Sequence, residues 1–405
     1  MGDTDIHTSF DSISVAIDAF RAGRMVLVVD DERRENEGDL IIAADHATPD
    51  AINFMIKQGG GLVCIAMSPE RLKQLGISRM APVYPGDMYR TAFMESVDAR
   101  SGVSTGISAA DRAQTVRVLM DPESTKDDLS RPGHLFPLES VPGGVLQRAG
   151  HTEAAVDLAR LSGCQPAGVI CEILREDGQM ARRDELIAFA RRHRLPIITI
   201  ADLIVYRRAR EPLTERECSI RLPTEWAEFQ MHMYRAKPEN EHHLALCLGS
   251  IAGDPPPLVR MHSECLTGDV FGSQRCDCGA QLHRAMAMVA QEGRGAVLYL
   301  RQEGRGIGLA HKIHAYALQE AGLDTVEANE RLGFDPDLRD YSAAAHMLRD
   351  LGATRVRLLT NNPHKVEELE KYGISVVERI PLKIPPGAHN EKYLRAKRDK
   401  LGHLL

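Results

Sequence analysis

The sequence has no long apolar run and no excess of positive charge. Nowhere does it approach the roughly 18–20 uninterrupted apolar residues that cross a membrane. Its first residues, MGDTDIHTSFDS, are acidic and lack the apolar core of a signal peptide. The 57 acidic residues outnumber the 50 basic ones, so the net charge of −7 gives no general field for nucleic acid. We therefore expect a cytoplasmic protein that binds neither membranes nor nucleic acid.

Disulfide bonds are not expected either. The chain has 8 cysteines in 405 residues and no secretion signal, so its thiols are expected to be reduced. Clustered cysteines then become candidates for metal binding or catalysis. The length suggests about two or three domains.

Strand-like and helix-like segments alternate along the chain, which favours a layered α/β architecture. Ser108 with Asp111 three residues later predicts a capping box, and Asn362 followed by Pro363 predicts another helix start. The predicted strands are 25–29, 40–44, 167–173, 195–200, 296–300 and 355–360. The predicted helices are 49–59, 108–120, 151–163, 182–193, 279–293, 308–322 and 361–373.

The alternation breaks at RRAREPLTERECSIRLP (207–223), a charged stretch with two prolines. Such stretches are typical of domain boundaries. The sequence therefore predicts an α/β (α+β) protein with two tandem layered α/β domains, 1–208 and 209–405, joined by a short charged linker.

The segment HSECLTGDVFGSQRCDCG holds three cysteines, Cys265, Cys276 and Cys278. Structural zinc sites use four protein ligands, whereas catalytic sites keep one position for water, which loses a proton near neutral pH. Three cysteines without a fourth nearby favour an open, catalytic Zn²⁺ site. The alternative is a set of three incidental thiols.

A glycine-rich turn, YLRQEGRGIGL, follows a predicted strand and opens a predicted helix. Its backbone N–H groups and its arginines, Arg301 and Arg305, favour phosphate binding. Most glycine-rich turns are only tight turns, so the interpretation depends on the cysteines in the same domain. Together the two features favour hydrolytic chemistry on a nucleotide.

These motifs, with DTVEANERLGFDPDLRDY and LLTNNPHKV, resemble GTP cyclohydrolase II over about residues 224–405. The resemblance implies that GTP is opened to formate, pyrophosphate and a diaminopyrimidine ribosyl phosphate, and that Cys265, Cys276 and Cys278 bind zinc. It implies that Tyr316 faces the purine. It assigns GTP contacts to Arg260, Met261, His262, Ser263, Glu264, Gln281, Glu303, Gly304, Arg305, Thr325, Thr360 and Lys365.

The resemblance also assigns two catalytic residues, Asp337 as proton acceptor and Arg339 as nucleophile towards the α-phosphate. A guanidinium group stays protonated in proteins, so clamping the phosphate is the physically easier role for Arg339. Without the resemblance, a surface ion pair would be the simpler interpretation of these two residues.

In the first half, VVDDERRENEGDL follows a predicted strand and concentrates acidic residues in one loop. Such a run is usually a solvated loop. Ligands of α/β proteins nevertheless bind at the carboxyl ends of strands, and carboxylate oxygens suit Mg²⁺. Further along, Arg148, His151 and Thr152 lie at a predicted helix start, where phosphate binds readily. His134 lies between turn residues and Glu172 within an apolar strand, where each is more often structural.

These stretches, with STGISAADRA, RPGHLFPL and GGVLQRAGHTEAAVDLA, resemble 3,4-dihydroxy-2-butanone 4-phosphate synthase over about residues 10–206. The resemblance implies conversion of ribulose 5-phosphate to that product and formate, with Mg²⁺ or Mn²⁺ bound by Glu35 and His151. It marks His134 and Glu172 as essential and places Cys64 and Thr105 in the pocket. It assigns substrate contacts to Arg34, Glu35, Asp39, Arg148, Ala149, Gly150, His151, Thr152 and Glu172.

One motif departs from the family pattern. TAFMESVD carries Met94 and Glu95 where the family has a small polar and an apolar residue, which leaves a monofunctional GTP cyclohydrolase II with a degenerate first half as an alternative. A GTP-sensing zinc regulator is another. Intact Glu35, His134, His151 and Glu172 favour a bifunctional enzyme of riboflavin biosynthesis, and both resemblances imply a homodimer.

Overall fold

The computed structural model describes residues 10–80, 91–238, 240–323, 325–334, 337–387, 390–402 and 404. For residues 325, 326, 392, 393, 396, 400 and 401 it describes the backbone alone. The chain divides into two compact units, residues 1–207 and 208–405. Both are mixed α/β units, which confirms the predicted fold class. Within the described residues, no helix is long and apolar enough to cross a membrane.

The first unit contains eight strands and seven α-helices among its described residues. The strands are β1 Val26–Val29, β2 Gly38–Ala43, β3 Cys64–Met67, β4 Ala92–Phe93, β5 Val97–Ala99, β6 Leu129–Glu139, β7 Ala167–Glu172 and β8 Ile197–Thr199. The helices are α1 Ile13–Arg21, α2 Pro49–Phe54, α3 Pro69–Gln74, α4 Ala109–Met120, α5 His151–Ser162, α6 Arg183–His193 and α7 Ile200–Arg210.

The first sheet is covered on both faces, which explains its nearly continuous apolar strands. Its strand order is β4-β6-β3-β7-β2-β1-β8, with β5 paired to β6. On one face, Leu27 and Leu40 pack in a core that includes residues of α2, α3, α4 and α6. On the other, Val28, Ile41 and Ile170 pack with residues of α1, α5 and α7. Helix α5 thus lies against one face of the sheet.

The second unit contains seven strands and seven α-helices among its described residues. The strands are β9 Thr214–Pro223, β10 Glu228–Ala236, β11 Glu241–Leu248, β12 Leu258–Ser263, β13 Gly295–Leu300, β14 Arg355–Leu359 and β15 Ser375–Ile380. The helices are α8 Leu266–Asp269, α9 Cys278–Glu292, α10 Gly308–Glu320, α11 Thr325–Arg331, α12 Ser342–Asp350, α13 His364–Lys371 and α14 Glu391–Leu401.

The second sheet has the order β15-β14-β12-β13-β11-β10-β9. Strands β12, β13, β14 and β15 pair in parallel, and β9, β10 and β11 add an antiparallel part. Two apolar clusters cover its faces, one containing α12 and α13 residues and one containing α9 residues. The cysteine segment and the glycine-rich turn follow the neighbouring parallel strands β12 and β13, so both reach the same edge of the sheet.

The charged stretch 207–223 is not the linker that its composition suggested. Helix α7 continues to Arg210, and β9 starts at Thr214, so only residues 211–213 connect them. Strand β9 reads as a linker because nearly all of its side chains are exposed at the end of the sheet. Its partner β10 supplies the pairing that local composition cannot reveal.

Three local predictions need correction. Ser108 caps α4, but Asp111 does not complete a capping box, because its carboxylate accepts from Ser104 and Gly106 instead. His134 lies within strand β6 rather than between turns. Helix α13 begins at His364, one residue later than predicted, although the Asn362 side chain accepts from the His364 amide at 3.1 Å.

The unusual residues of TAFMESVD fit the first unit. Met94 is 4% exposed within the core, and its amide donates to the Pro137 carbonyl at 2.9 Å. The Glu95 amide donates to the Ser78 carbonyl, also at 2.9 Å. The departure from the family pattern therefore leaves local packing and pairing in place.

Candidate active sites in the two units

One face of the first sheet turns from apolar to polar at a single edge. Asp39 lies directly opposite Glu172 on the neighbouring strands β2 and β7. Strand β3 lies between β6 and β7, and its Cys64 pairs with Phe136 on one side and Ile170 on the other. His134 lies two residues before Phe136 on β6, and Glu172 lies two residues after Ile170 on β7. Because side chains alternate along strands, Asp39, Glu172 and His134 belong to the face against which α5 packs. This edge gathers residues that are far apart in the sequence.

The acidic loop after β1 is organised by Asp30. Its carboxylate accepts from the amides of Glu35 (3.0 Å) and Glu37 (2.9 Å) and from the guanidinium of Arg34 (2.9 Å). The guanidinium of Arg182 donates to the carbonyl of Glu35 at 2.9 Å. These bonds fix the loop, so it is not simply a solvated run of charges. Asp30 directly follows the last apolar residue of β1, which is the signal that could have singled it out.

Asp30, Glu35 and His151 form a candidate metal group, with ligand atoms within 4.8 Å of one another. Burial raises the pKa of Glu35, but the hydrogen bond with His151 and the charge of Arg34 lower it more. His151 is buried, and its Nε2 has no hydrogen-bond partner within the described part of the chain. Carboxylate oxygens with one imidazole fit Mg²⁺ or Mn²⁺.

The N-terminus of α5 is a basic cradle. A Cβ atom at Gly150, its N-cap, would lie 2.8 Å from Arg148 Nη1 and 3.1 Å from Arg34 Nη2. Arg148 also donates to the buried carboxylate of Glu153 at 2.7 Å. Thr152 is buried in the first turn, whereas Ala149 is exposed just before the helix. Two guanidinium groups and a helix N-terminus together favour a phosphate group.

Neighbouring groups hold the two residues marked as essential. The Glu172 carboxylate accepts from the Leu62 amide at 2.8 Å. Asp98 accepts from the His134 amide at 2.9 Å and lies 2.7 Å from His134 Nδ1. A carboxylate at this nitrogen fixes the proton on Nδ1 and leaves Nε2 as the free acceptor. Sequence reasoning assigned no role to Asp98, although it closes the motif TAFMESVD, because it lies 36 residues before His134.

The other two pocket residues differ in exposure. Cys64 is 2% exposed within the apolar cluster of the α5 face, and burial raises the pKa of its thiol well above the usual value. Thr105 is exposed in the loop before α4. Cys64 therefore belongs to the core below the polar edge.

The three cysteines of the second unit converge. Their sulfur atoms lie within 4.8 Å of one another, with 3.7 Å between those of Cys265 and Cys276. A Cβ atom at Gly268 would lie 2.9 Å from Cys276 Sγ and 3.2 Å from Cys265 Sγ, so only glycine leaves room for the thiols. Hydrogen bonds from the thiols of Cys276 and Cys278 lower the pKa of Cys265. Three convergent thiols fit zinc with one position left open.

A cavity beside the cysteines contains most of the residues that the resemblance assigned to GTP. Arg260 is buried there, donates to Gln281 Oε1 at 2.7 Å, and has its pKa lowered to about 10 by burial. Glu303 accepts from the amides of Leu266 (2.6 Å) and Gly304 (2.9 Å). The assigned residues that line the cavity are Arg260, His262, Ser263, Glu264, Cys265, Cys276, Cys278, Gln281, Glu303, Gly304, Arg305, Arg339, Thr360 and Lys365.

Three assigned residues stand apart from that lining. Met261 has its side chain in the apolar core and contributes its carbonyl, which accepts from Lys365 Nζ at 2.8 Å. Asp337 forms a bidentate ion pair with Arg339, which does line the cavity. Their side chains are only 24% and 12% exposed, which is unlike a surface pair. Thr325 begins α11, but its side chain lies outside the described residues.

The glycine-rich turn lies between β13 and α10, as predicted. Gly304 and Arg305 both adopt left-handed conformations, with φ of 63° and 62°. Tyr316 of α10 also lines the cavity, and Arg275 lies 5.2 Å from the centre of its ring. Sequence reasoning assigned no part in this cavity to several other lining residues. They are Lys312, Asn329, Asn361, Asn362, which was predicted only as a helix cap, and Lys397.

Comparisons with known proteins match both halves of the chain. A family model described as 3,4-dihydroxy-2-butanone 4-phosphate synthase matches residues 14–206, and one described as GTP cyclohydrolase II matches residues 215–381. Riboflavin biosynthesis protein RibBA of Aquifex aeolicus (strain VF5) is 56% identical over 399 residues, covering 98% of each chain. Its Bacillus subtilis (strain 168) counterpart is 54% identical over 397 residues, covering 98% of this chain and 99% of that protein.

The crystal structure of RibBX, a two-domain 3,4-dihydroxy-2-butanone 4-phosphate synthase from A. baumannii, has a TM-score of 0.70 and 37% identity. It covers 92% of this chain and 100% of that chain. Matches to both family models and to full-length relatives disfavour a monofunctional cyclohydrolase with a degenerate first half, and equally a GTP-sensing regulator. The chain therefore belongs to the family of bifunctional riboflavin biosynthesis enzymes, which join a lyase, 3,4-dihydroxy-2-butanone 4-phosphate synthase, to a hydrolase, GTP cyclohydrolase II.

Proposed function

We propose that each unit carries one complete active site, with the synthase in residues 1–208 and the cyclohydrolase in residues 209–405. One observation carries the proposal: the two groups of convergent metal-ligating side chains lie in different units. Each group also lies beside arginines at a glycine-containing helix start or turn. The two sites share no described residue.

In the synthase site, Glu35 and His151 hold Mg²⁺ or Mn²⁺, which when bound polarises the ketose oxygens of ribulose 5-phosphate. Asp30 is already engaged by three hydrogen bonds, so we assign it to the loop rather than to the metal. Arg34 and Arg148 bind the substrate phosphate at the start of α5. Asp39, Thr152 and the backbone of Ala149 and Gly150 complete the contacts.

Glu172 and His134 transfer the protons of the synthase reaction. Their positions at one edge of the sheet, on the two sides of β3, allow them to act on different carbons of one sugar phosphate. Asp98 keeps a lone pair of the His134 ring available for accepting a proton. The products are 3,4-dihydroxy-2-butanone 4-phosphate and formate.

In the cyclohydrolase site, Cys265, Cys276 and Cys278 hold zinc, which when bound supplies a Lewis acid that activates water. The residues lining the cavity bind GTP, and Asp337 accepts a proton. Arg339 clamps the α-phosphate, because its guanidinium is protonated and paired with Asp337. The products are 2,5-diamino-6-ribosylamino-pyrimidinone 5′-phosphate, formate and pyrophosphate.

Formate release from each substrate tests the assignment. Glu35→Ala is expected to abolish formate from ribulose 5-phosphate and to leave formate from GTP nearly unchanged, and Cys278→Ser is expected to do the reverse. Substitutions at sites without shared partners act almost additively. Loss of both activities in either folded variant would contradict separate sites. Persistence of the GTP reaction in zinc-free Cys278→Ser would contradict the zinc assignment.

We also infer a cytoplasmic homodimer without a nucleic-acid partner. The net charge of −7 and the free, clustered thiols support the location and the lack of nucleic acid, and the two resemblances support the dimer. Sedimentation equilibrium of the full chain is expected to give the mass of two chains. A single-chain mass at micromolar concentration would contradict the dimer.

A further inference from the structure

Lys312 of α10 is a buried lysine beside the cysteine cluster. Its side chain is 9% exposed, and its Nζ lies 3.2 Å from Cys265 Sγ, 3.0 Å from Thr267 Oγ1 and 2.8 Å from Glu303 Oε1. Lysine is seldom buried unless its charge is paired. Here all three ammonium hydrogens have an acceptor, and one acceptor is a cysteine of the candidate zinc site.

The surroundings hold Lys312 in this orientation. The amides of Leu266 and Gly304 donate to the Glu303 carboxylate and hold it in place, so it is a fixed acceptor for the Lys312 ammonium group. A Cβ atom at Gly304 would lie 3.0 Å from the Cβ of Lys312, so the glycine-rich turn is shaped to admit this side chain. The cysteine segment, the glycine-rich turn and α10 therefore meet at one ammonium group.

We propose that Lys312 is a positioning residue of the zinc site that donates a hydrogen bond to the Cys265 thiolate and offsets part of the negative charge of the metal centre. The proposal rests on the zinc site proposed above. Zn²⁺ with three thiolates has one excess negative charge, and the Lys312 ammonium group, 3.2 Å from Cys265 Sγ, offsets part of it while also pairing with Glu303. A hydrogen bond to a thiolate withdraws electron density from sulfur, which leaves the metal a stronger Lewis acid. Lys312 thereby favours activation of water without contacting the substrate.

A purely structural role would leave the metal centre unchanged. In that case Lys312 would serve only as the ion-pair partner of Glu303 and would influence stability alone. The electronic state of the thiolates distinguishes the two roles. Co²⁺ in place of zinc gives a thiolate-to-metal charge-transfer absorption band, which arises only from cysteine ligands and therefore reports this site in the full chain.

The test compares Lys312→Met, which keeps length but removes charge and donors, with Lys312→Arg, which keeps both. The control is Lys371→Met, because Lys371 makes an exposed ion pair with Glu368 on α13. In cobalt-loaded Lys312→Met, the band is expected at longer wavelength, because unbonded thiolates give up electrons more easily. In the zinc enzyme, its kcat for GTP is expected to fall roughly 10- to 100-fold with little change in KM. Lys312→Arg is expected to restore most of both properties, and Lys371→Met to match the parent.

Each outcome bears on a different claim. A parental chain without the cobalt–thiolate band would refute the zinc site itself. A parental band that Lys312→Met leaves in place, with unchanged kcat, would refute the role of Lys312 and spare the zinc site. If Lys312→Met does not fold, Lys312→Gln removes the charge, keeps an N–H donor and is expected to shift the band less far. An unshifted band in folded Lys312→Gln with parental kcat would overturn the proposal.

Discussion

The contact between Asp98 and His134 gives a sharp test of the synthase site. One carboxylate oxygen of Asp98 accepts from the backbone amide of His134 at 2.9 Å, and the other lies 2.7 Å from His134 Nδ1. Asp98→Asn keeps the size of the side chain but leaves a single acceptor oxygen. One of the two bonds is lost, and the new NH₂ group faces either an N–H donor or the ring nitrogen. In the second case the ring takes the opposite tautomer and His134 loses its free acceptor at Nε2.

The magnitude follows from the type of bond. A hydrogen bond to a charged group contributes about 1.5–3 kcal/mol, which corresponds to roughly 10- to 150-fold in rate. The His134 side chain is 44% exposed, so water competes for the ring and favours the lower end of the range. We therefore expect kcat for ribulose 5-phosphate to fall about tenfold or somewhat more, with KM nearly unchanged because the phosphate contacts are intact.

Steady-state formate release measures the effect. Asp45→Asn is the matched control, because Asp45 is exposed and its carboxylate accepts from the Gln165 amide, away from the proposed catalytic residues. Formate from GTP in the same preparation reports that the second unit is folded and active. Parental kcat in Asp98→Asn would refute the positioning of His134 by Asp98. A raised KM with unchanged kcat would instead indicate that Asp98 supports binding.

Two further predictions concern the second unit. Gly268→Ala places a methyl carbon only 2.9 Å from Cys276 Sγ, so the thiol must move and we expect at least tenfold weaker zinc retention against a chelator. Full occupancy under the same conditions would contradict the fit. Burial lowers the pKa of His243 from 6.5 to about 4. Between pH 6.5 and pH 4 the imidazole is therefore protonated in the unfolded state but neutral in the folded state. Stability should therefore fall by up to about 3 kcal/mol from pH 6.5 to 4. In urea titrations His243→Asn should lose most of that slope, and an unchanged slope would refute the assignment.

Residues next to strong local signals were predictable from sequence. The start of α5 at His151 was predictable because a helical pattern of apolar residues begins just after Gly150. The spacing of the three cysteines was enough to predict a metal site. The catalytic role of neighbouring residues came from family motifs, not from local chemistry. Asp98 and Lys312 lie in or beside such motifs but were assigned no role, because His134 and Cys265, which they contact, lie 36 and 47 residues away. Only tertiary structure brings these pairs together.

Strands with polar composition were the least predictable elements. Strand β6 contains Pro132 and Gly133, which strand propensity disfavours, yet pairing with β3, β4 and β5 makes it the longest strand of its sheet. Strands β9 and β10 have many charged and polar residues, and their register comes from each other. In both cases non-local pairing overrides local preference.

Strand β9 has a consequence for how the protein behaves at high concentration. It ends the order of the second sheet, where unpaired backbone groups can recruit a strand from another molecule. Its exposed residues include Glu215, Arg216, Glu217 and Arg221, and it closes on Pro223, which has no N–H to donate. An apolar strand of another molecule could pair with β9 only by removing water from these charged groups, which is unfavourable. The charged composition that made β9 resemble a linker thus protects the enzyme from edge-to-edge aggregation.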